Sequence, residues 1–121
     1  MPYADTDFFV ALAKTDDRLH ASALEAYNRY RGSIYTSLAT MLELALISGK
    51  VGRRTEELIE GVLAMSEVKG VDKTQIMFAA RLIETGKVGV FDAFHAALCE
   101  GNIISSDHVY DSIGIERIKL Y

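Results

Sequence analysis

Short β-prone segments alternating with helical ones predict a layered α/β domain built on a mostly parallel sheet. Two further observations support it. Helical periodicity fills the gaps between the β-prone runs, and the only proline is Pro2, so glycine alone punctuates the chain. The 121 residues suit one domain spanning 1–121, enough for a single core and too few for two.

Pro2 to Ala4 allows a very short strand ending at Asp5. Phe8 to Ala13 reads as a short helix. Asp16 and Asp17 are good starts for an amphipathic helix through Tyr30, with Leu19, Ala23, Leu24 and Tyr27 as its buried stripe and Gly32 as its end. Ser33 to Thr36 is the second β-prone run. A helix over about Ser37–Ser48 follows, closed by Gly49, and another is expected from Arg54 to Met65. Glu67-Val68-Lys69 forms a third short strand, and Asp72 caps a helix running to Thr85. Phe91 to Glu100 is helical and stops at Gly101. Asn102–Ser105 is a strand, Asp107–Ser112 a helical turn, and Ile115–Leu120 a last strand.

Composition narrows the class. Half the residues are hydrophobic and a quarter charged, ordinary values for a globular chain, and no run approaches the roughly 20 apolar residues a membrane helix needs. Met1 to Asp5 lacks a basic stretch followed by an apolar one, which argues against a signal peptide. Cys99, the single cysteine, excludes an internal disulfide and fits a reducing, cytoplasmic setting; it reads as a small hydrophobe in an apolar run. The net charge of −4 argues mildly against passive nucleic-acid binding. It leaves open an enzyme whose acids hold a divalent cation, because a bound ion reverses the field a phosphate meets.

Four acids stand out. Glu43 lies in Leu38–Ile47, a segment apolar on nearly every side, which predicts a buried helix and a carboxylate that needs a partner or an ion. Asp92 sits one residue inside another apolar helical run, where it either caps the helix or faces a site. Asp5 and Asp107 each follow a predicted strand, beside the crevice where open parallel sheets bind ligands, although both could simply cap the next helix. If the four converge, their oxygens select a hard cation, Mg²⁺ or Mn²⁺, of the kind that assists phosphodiester hydrolysis.

In this order and spacing the segments Tyr3-Ala4-Asp5-Thr6-Asp7, Thr36-Ser37 with Met41-Leu42-Glu43-Leu44, Phe91 to Ala97, and Ile104 to Asp111 resemble the PIN domain, specifically the VapC-like ribonuclease toxins. The resemblance covers nearly the whole chain. It implies a three-layer α/β/α fold with about five strands, Mg²⁺- or Mn²⁺-dependent endonucleolytic cleavage of RNA, a homodimer, and a cognate antitoxin. It places Asp5, Glu43, Asp92 and Asp107 on the acidic metal positions, and Thr6 and Ser105 on supporting hydroxyl positions. Asp7 stands where the family often has asparagine. Asp111 offers a second possible fourth acid, and Asp107 is preferred because it abuts the strand.

His95, one turn after Asp92, could bind metal or shuttle a proton, but a packing or hydrogen-bonding role is preferred, since relatives often carry histidine there without a catalytic role. His20 reads as structural and His108 as exposed, and no second His or Cys stands at zinc-ligand spacing. Thr6 either orients Asp5 or a metal-bound water, or caps the first helix. Lys50, Arg53 and Arg54 are the densest basic cluster and a candidate for RNA phosphates, with a solvated surface as the alternative. Two other functions fit parts of the pattern. A degenerate PIN module would bind RNA or protein without cutting it. A haloacid-dehalogenase-like phosphatase would use Asp5-x-Asp7, but ordinarily after a longer buried strand than Pro2–Ala4 provides.

Overall fold

The computed structural model describes residues 1–121. Strands β1 (Tyr3–Ala4), β2 (Tyr35–Ser37), β3 (Glu67–Lys69), β4 (Asn102–Ser105) and β5 (Glu116–Lys119) form one sheet in the order β3-β2-β1-β4-β5, every pair parallel. Helices α1 (Thr6–Ala13), α2 (His20–Tyr30), α3 (Leu38–Val51), α4 (Thr55–Met65), α5 (Lys73–Glu84), α6 (Val90–Leu98) and α7 (Val109–Ser112) connect them. This is the three-layer α/β/α arrangement the sequence implies.

Alternation along the strands assigns the layers. Ala4 and Ile104, paired in register, face one side with Ile34 and meet Phe8 and Phe9 of α1, Ala23 of α2, Leu44 of α3 and Val62 of α4. Tyr3 and Ile103, the preceding pair, face the other side with Tyr35 and meet Ala96 and Leu98 of α6 and Tyr110 of α7. Ala79 of α5 packs on Ala93 of α6 outside that layer. Each large side chain buried in this way, Phe8 or Leu44 for example, contributes about 1.5–3 kcal/mol. Because all strands run the same way, Asp5, Leu38 and Ser106 follow β1, β2 and β4 at one edge of the sheet. That edge is where the acids gather.

Several boundaries and faces differ from expectation. α2 starts at His20, because Asp17 accepts the Leu19 amide at 2.8 Å in the turn before it instead of capping the helix. Its buried stripe is Leu19, Ala23 and Ala26, whereas Leu24 is exposed and Tyr27 half-buried. α3 passes through Gly49 to Val51, and Gly52 stops it with φ +76°, a conformation glycine adopts without strain. α3 is also not buried all round: Leu38, Leu42 and Leu46 form a solvent-facing stripe at i, i+4, i+8, 53–73% exposed. α6 ends at Leu98 rather than Glu100, and α7 begins at Val109 rather than Asp107.

Candidate metal centre

Asp5 is the N-cap of α1, yet its carboxylate does more than cap. Oδ1 accepts the Thr6 amide at 2.7 Å, and Oδ2 accepts the hydroxyls of Ser105 at 2.8 Å and Tyr110 at 3.2 Å. The side chain is almost fully enclosed. Burial raises its pKa to about 7, and the neighbouring Asp7 adds to the rise; the charge of His95 and the bonds from Ser105 and Thr6 offset only part. A buried carboxylate with this much uncompensated charge is a place that wants a cation.

Glu43 projects from the second turn of α3, half-buried despite the exposed leucines beside it. Burial would raise its pKa, but hydrogen bonds from His95 and Thr6 outweigh that and hold it below the ordinary value. The Thr6 hydroxyl donates to Glu43 Oε1 at 2.5 Å. Thr6 therefore orients Asp5, one of the two roles expected for it, through its amide, and holds Glu43 through its hydroxyl.

His95 is the hub. It is fully buried on α6, with Nε2 2.9 Å from Glu43 Oε1 and 3.3 Å from both Asp5 Oδ1 and Thr6 Oγ1. On its other side Nδ1 lies 2.7 Å from the Tyr3 hydroxyl, itself 2.7 Å from Ser37 Oγ. Burial favours the neutral ring, but the bond to Glu43 and the charges of Asp5, Glu43 and Asp92 together raise its pKa. Asp5, Glu43 and His95 each present one ligand atom, all within 4.8 Å of one another. Two acids and an imidazole this close form a donor set that fits one divalent ion.

Asp92 joins through Tyr110. It is not a cap, since Gly89 is the N-cap of α6 and Asp92 sits in the first turn with its Oδ1 3.2 Å from the Tyr110 hydroxyl. One phenol thus bridges Asp92 and Asp5. Burial raises the Asp92 pKa, and the charge of Asp107 raises it further. Asp107 itself is exposed at the rim. Its Oδ1 accepts the Val109 amide at 2.9 Å, and its own amide donates to Ser105 Oγ at 3.0 Å.

The remaining candidates lie apart. Asp111 is taken up by Arg117, whose Nε and guanidinium nitrogen lie 3.2 and 3.1 Å from its two carboxylate oxygens and hold its pKa down. Asp107 is the nearer of the two, its charge raising the pKa of Asp92. Arg53 donates to the Ala13 carbonyl at 2.9 Å and approaches Glu57 at 3.8 Å, which makes it a clamp between α1 and α4. Lys50, in the last turn of α3, and Arg54, after its end, are exposed, away from the Glu43 turn. His20 bonds the Ala11 carbonyl, and His108 is exposed.

Residue reasoning missed Tyr3, Tyr110 and the central position of His95. Signals for them existed: Tyr3 shares a strand face with Asp5, and His95 stands three residues from Asp92 on one helix face. Asp7 is also closer to the site than its motif position shows. Its Oδ2 accepts the amide of Ser106 at 2.8 Å and the Ser106 hydroxyl, while buried Oδ1 has no partner, and burial raises its pKa.

An α/β/α domain whose acids gather at the strand carboxyl edge carries its candidate cation site where open parallel sheets bind ligands. The chain belongs to the PIN domain family, whose model matches residues 3–113. Among solved structures it is similar to Mycobacterium tuberculosis VapC20, described as a sarcin–ricin loop cleaving toxin. The TM-score is 0.79 at 17% identity, over 95% of this chain and 96% of that one. It is also similar to VapBC2 from Rickettsia felis, solved with a DNA fragment from their promoter. There the TM-score is 0.66 at 16% identity, over the full length of both chains. At such identities these likenesses speak for the fold. No curated protein sequence matches the chain. No helix is long and apolar enough to cross a membrane.

Proposed function

We propose that this chain is a Mg²⁺- or Mn²⁺-dependent endoribonuclease that hydrolyses phosphodiesters of single-stranded RNA, acting as the toxin of a toxin–antitoxin pair. The observation that carries the reading is the meeting of Asp5, Glu43 and His95 at one sheet edge, with Asp92 tied to Asp5 through Tyr110. Residues 1–121 act as one such catalytic domain in the cytoplasm.

A bound Mg²⁺ or Mn²⁺ supplies Lewis-acid chemistry, acidifying water and neutralising charge on a phosphoryl oxygen. Asp5 and Glu43 would hold it, with Asp92 and rim-exposed Asp107 beside them. Ser105, Tyr110 and the Thr6 amide fix the Asp5 carboxylate, and Thr6 and His95 fix that of Glu43. Fixed carboxylates need no reorganisation when charge develops, which is how an active site lowers a barrier.

The exposed Leu38–Leu42–Leu46 stripe supports the homodimer. Leu42→Glu is expected to convert a dimer to a monomer in sedimentation velocity. The likeness to the VapBC2 pair supports an antitoxin partner. Cleavage of labelled single-stranded RNA by purified protein tests the activity. It should require Mn²⁺ or Mg²⁺, stop on chelation, and vanish in folded Asp5→Asn. Equal cleavage by that variant would refute the assignment.

A further inference from the structure

We propose that His95 is itself a ligand of the divalent ion, through Nε2, that Tyr3 is the positioning residue which frees that nitrogen, and that the site consequently prefers a first-row transition ion such as Mn²⁺ to Mg²⁺. The inference rests on the metal-dependent reading above and adds to its four carboxylates a nitrogen donor.

Geometry carries it. Ligands about 2.1 Å from one ion stand about 3.0–3.4 Å from each other, whether the shell is octahedral or tetrahedral. The Nε2–Glu43 Oε1 and Nε2–Asp5 Oδ1 separations are 2.9 and 3.3 Å. These atoms are therefore spaced as neighbouring ligands already are, and the ring has no room to leave. It is fully buried, with the Tyr3 ring 5.6 Å away between centroids.

The other side of the ring supplies the second half of the argument. A histidine that binds a metal through one nitrogen gives its other N–H to a fixed acceptor, and that acceptor sets the tautomer. Here Nδ1 faces the Tyr3 hydroxyl at 2.7 Å, and that hydroxyl has Ser37 Oγ 2.7 Å beyond it. When Tyr3 donates to Ser37, its oxygen accepts Nδ1–H and Nε2 keeps a lone pair for the ion. When Ser37 donates to Tyr3 and Tyr3 to Nδ1, the ring proton stands on Nε2 and bonds the Glu43 carboxylate. As the ion binds, the Nε2 proton leaves to solvent, Tyr3 passes its proton to Nδ1 and takes that of Ser37, and Ser37 regains one from solvent, so one immobile ring serves both the metal-free and the metal-bound site.

The nitrogen donor sets the selectivity. Mg²⁺ favours an all-oxygen octahedron with retained water, whereas first-row transition ions accept imidazole, with affinity rising from Mn²⁺ towards Cu²⁺.

Pulsed electron paramagnetic resonance of the Mn²⁺-loaded wild-type protein tests this directly. Coordinated imidazole ¹⁴N modulation is expected in wild type and in His108→Gln, and is expected to disappear in His95→Gln with Mn²⁺ still bound. Tyr3→Phe should weaken Mn²⁺ binding by about 10–100-fold and Mg²⁺ binding less, narrowing the preference. Bound Mn²⁺ without ¹⁴N modulation in wild type would overturn the role of His95 and leave the nuclease reading standing. Failure of millimolar Mn²⁺ to bind at all would instead remove the metal site itself. If His95→Gln does not fold, modulation retained in both His108→Gln and His20→Gln assigns the nitrogen to His95 by elimination, and its loss in either would overturn the assignment.

Discussion

The inner wall and the outer rim of the site use the same residue types in opposite ways. On the wall, Asp5 and His95 are enclosed and Glu43 is half-buried, and protein groups occupy their polar atoms. On the rim, Asp107 and Asp111 are exposed, the first bonded only to local backbone amides and the second neutralised by Arg117. Burial is what separates them. It raises the pKa of Asp5 and gives the wall a reason to capture a cation, whereas Glu43 is set by its hydrogen bonds and Asp111 by Arg117.

That contrast is broken or sharpened first by comparing the two fourth-acid candidates with Asp5. Asp5→Asn should reduce RNA cleavage by about 10³-fold, the scale of losing the charge that anchors transition-state stabilisation, with a melting temperature no lower than wild type at pH 8. Asp107→Asn should lose only about 10-fold, as an outer contributor would. Equal losses in single-turnover assays would erase the distinction between wall and rim.

Protonation of the wall gives the next effect. Asp5 has a pKa raised to about 7, so it must shed its proton before it binds an ion. Mn²⁺ affinity, measured by calorimetry, should therefore climb by up to about tenfold per pH unit between pH 6 and 7, and go on climbing above while His95, whose pKa is also raised, gives up its proton. Stability of the metal-free protein runs the other way. A folded-state pKa raised above the unfolded one stabilises at low pH, so the Asp5 contribution is full below about 4 and is lost as pH rises through about 7. The raised His95 pKa adds a loss of the same sign above its ordinary 6.5. Chelated protein should thus gain more from added Mn²⁺ at pH 8 than at pH 6.

Tyr110→Phe removes the hydroxyl that bridges Asp5 and Asp92, without removing the ring from the core. The expected result is a loss of roughly 10-fold in cleavage and about 1 kcal/mol in denaturant stability. The smallest effect belongs to Asp111→Asn. It takes a carboxylate from Arg117, which keeps its bond to the Ser105 carbonyl, and from His108, both away from the Asp5–Glu43 pair, so cleavage should stay within about twofold of wild type.

Much of this arrangement was legible in the sequence. The five strands fall within about two residues of the β-prone runs, because each is short, flanked by glycine or a capping residue, and rich in Ile, Val or Tyr. Asp5 and Asp107 could be placed because residues after parallel strands share one edge. Glu43 was found for a partly mistaken reason. The apolar run around it pointed to a buried helix, yet one of its faces carries Leu38, Leu42 and Leu46 into solvent. Hydropathy does not distinguish a face that meets the core from one left for a partner. Leu24 failed in the same way, because periodicity alone does not fix which side of α2 turns inward. The role of His95 was hidden because it depends on Tyr3 and Ser37, 92 and 58 residues away in sequence. Thr6 was ambiguous because its hydroxyl serves a residue 37 positions distant.

Anomalous diffraction at the manganese edge, from crystals soaked in Mn²⁺, addresses the central claim with least interpretation. A single strong peak within bonding distance of Asp5 and Glu43, absent from crystals of Asp5→Asn, is the predicted result. A map with no peak among the acids at saturating manganese, or with its only peak at the Asp111–His108 rim, would contradict it.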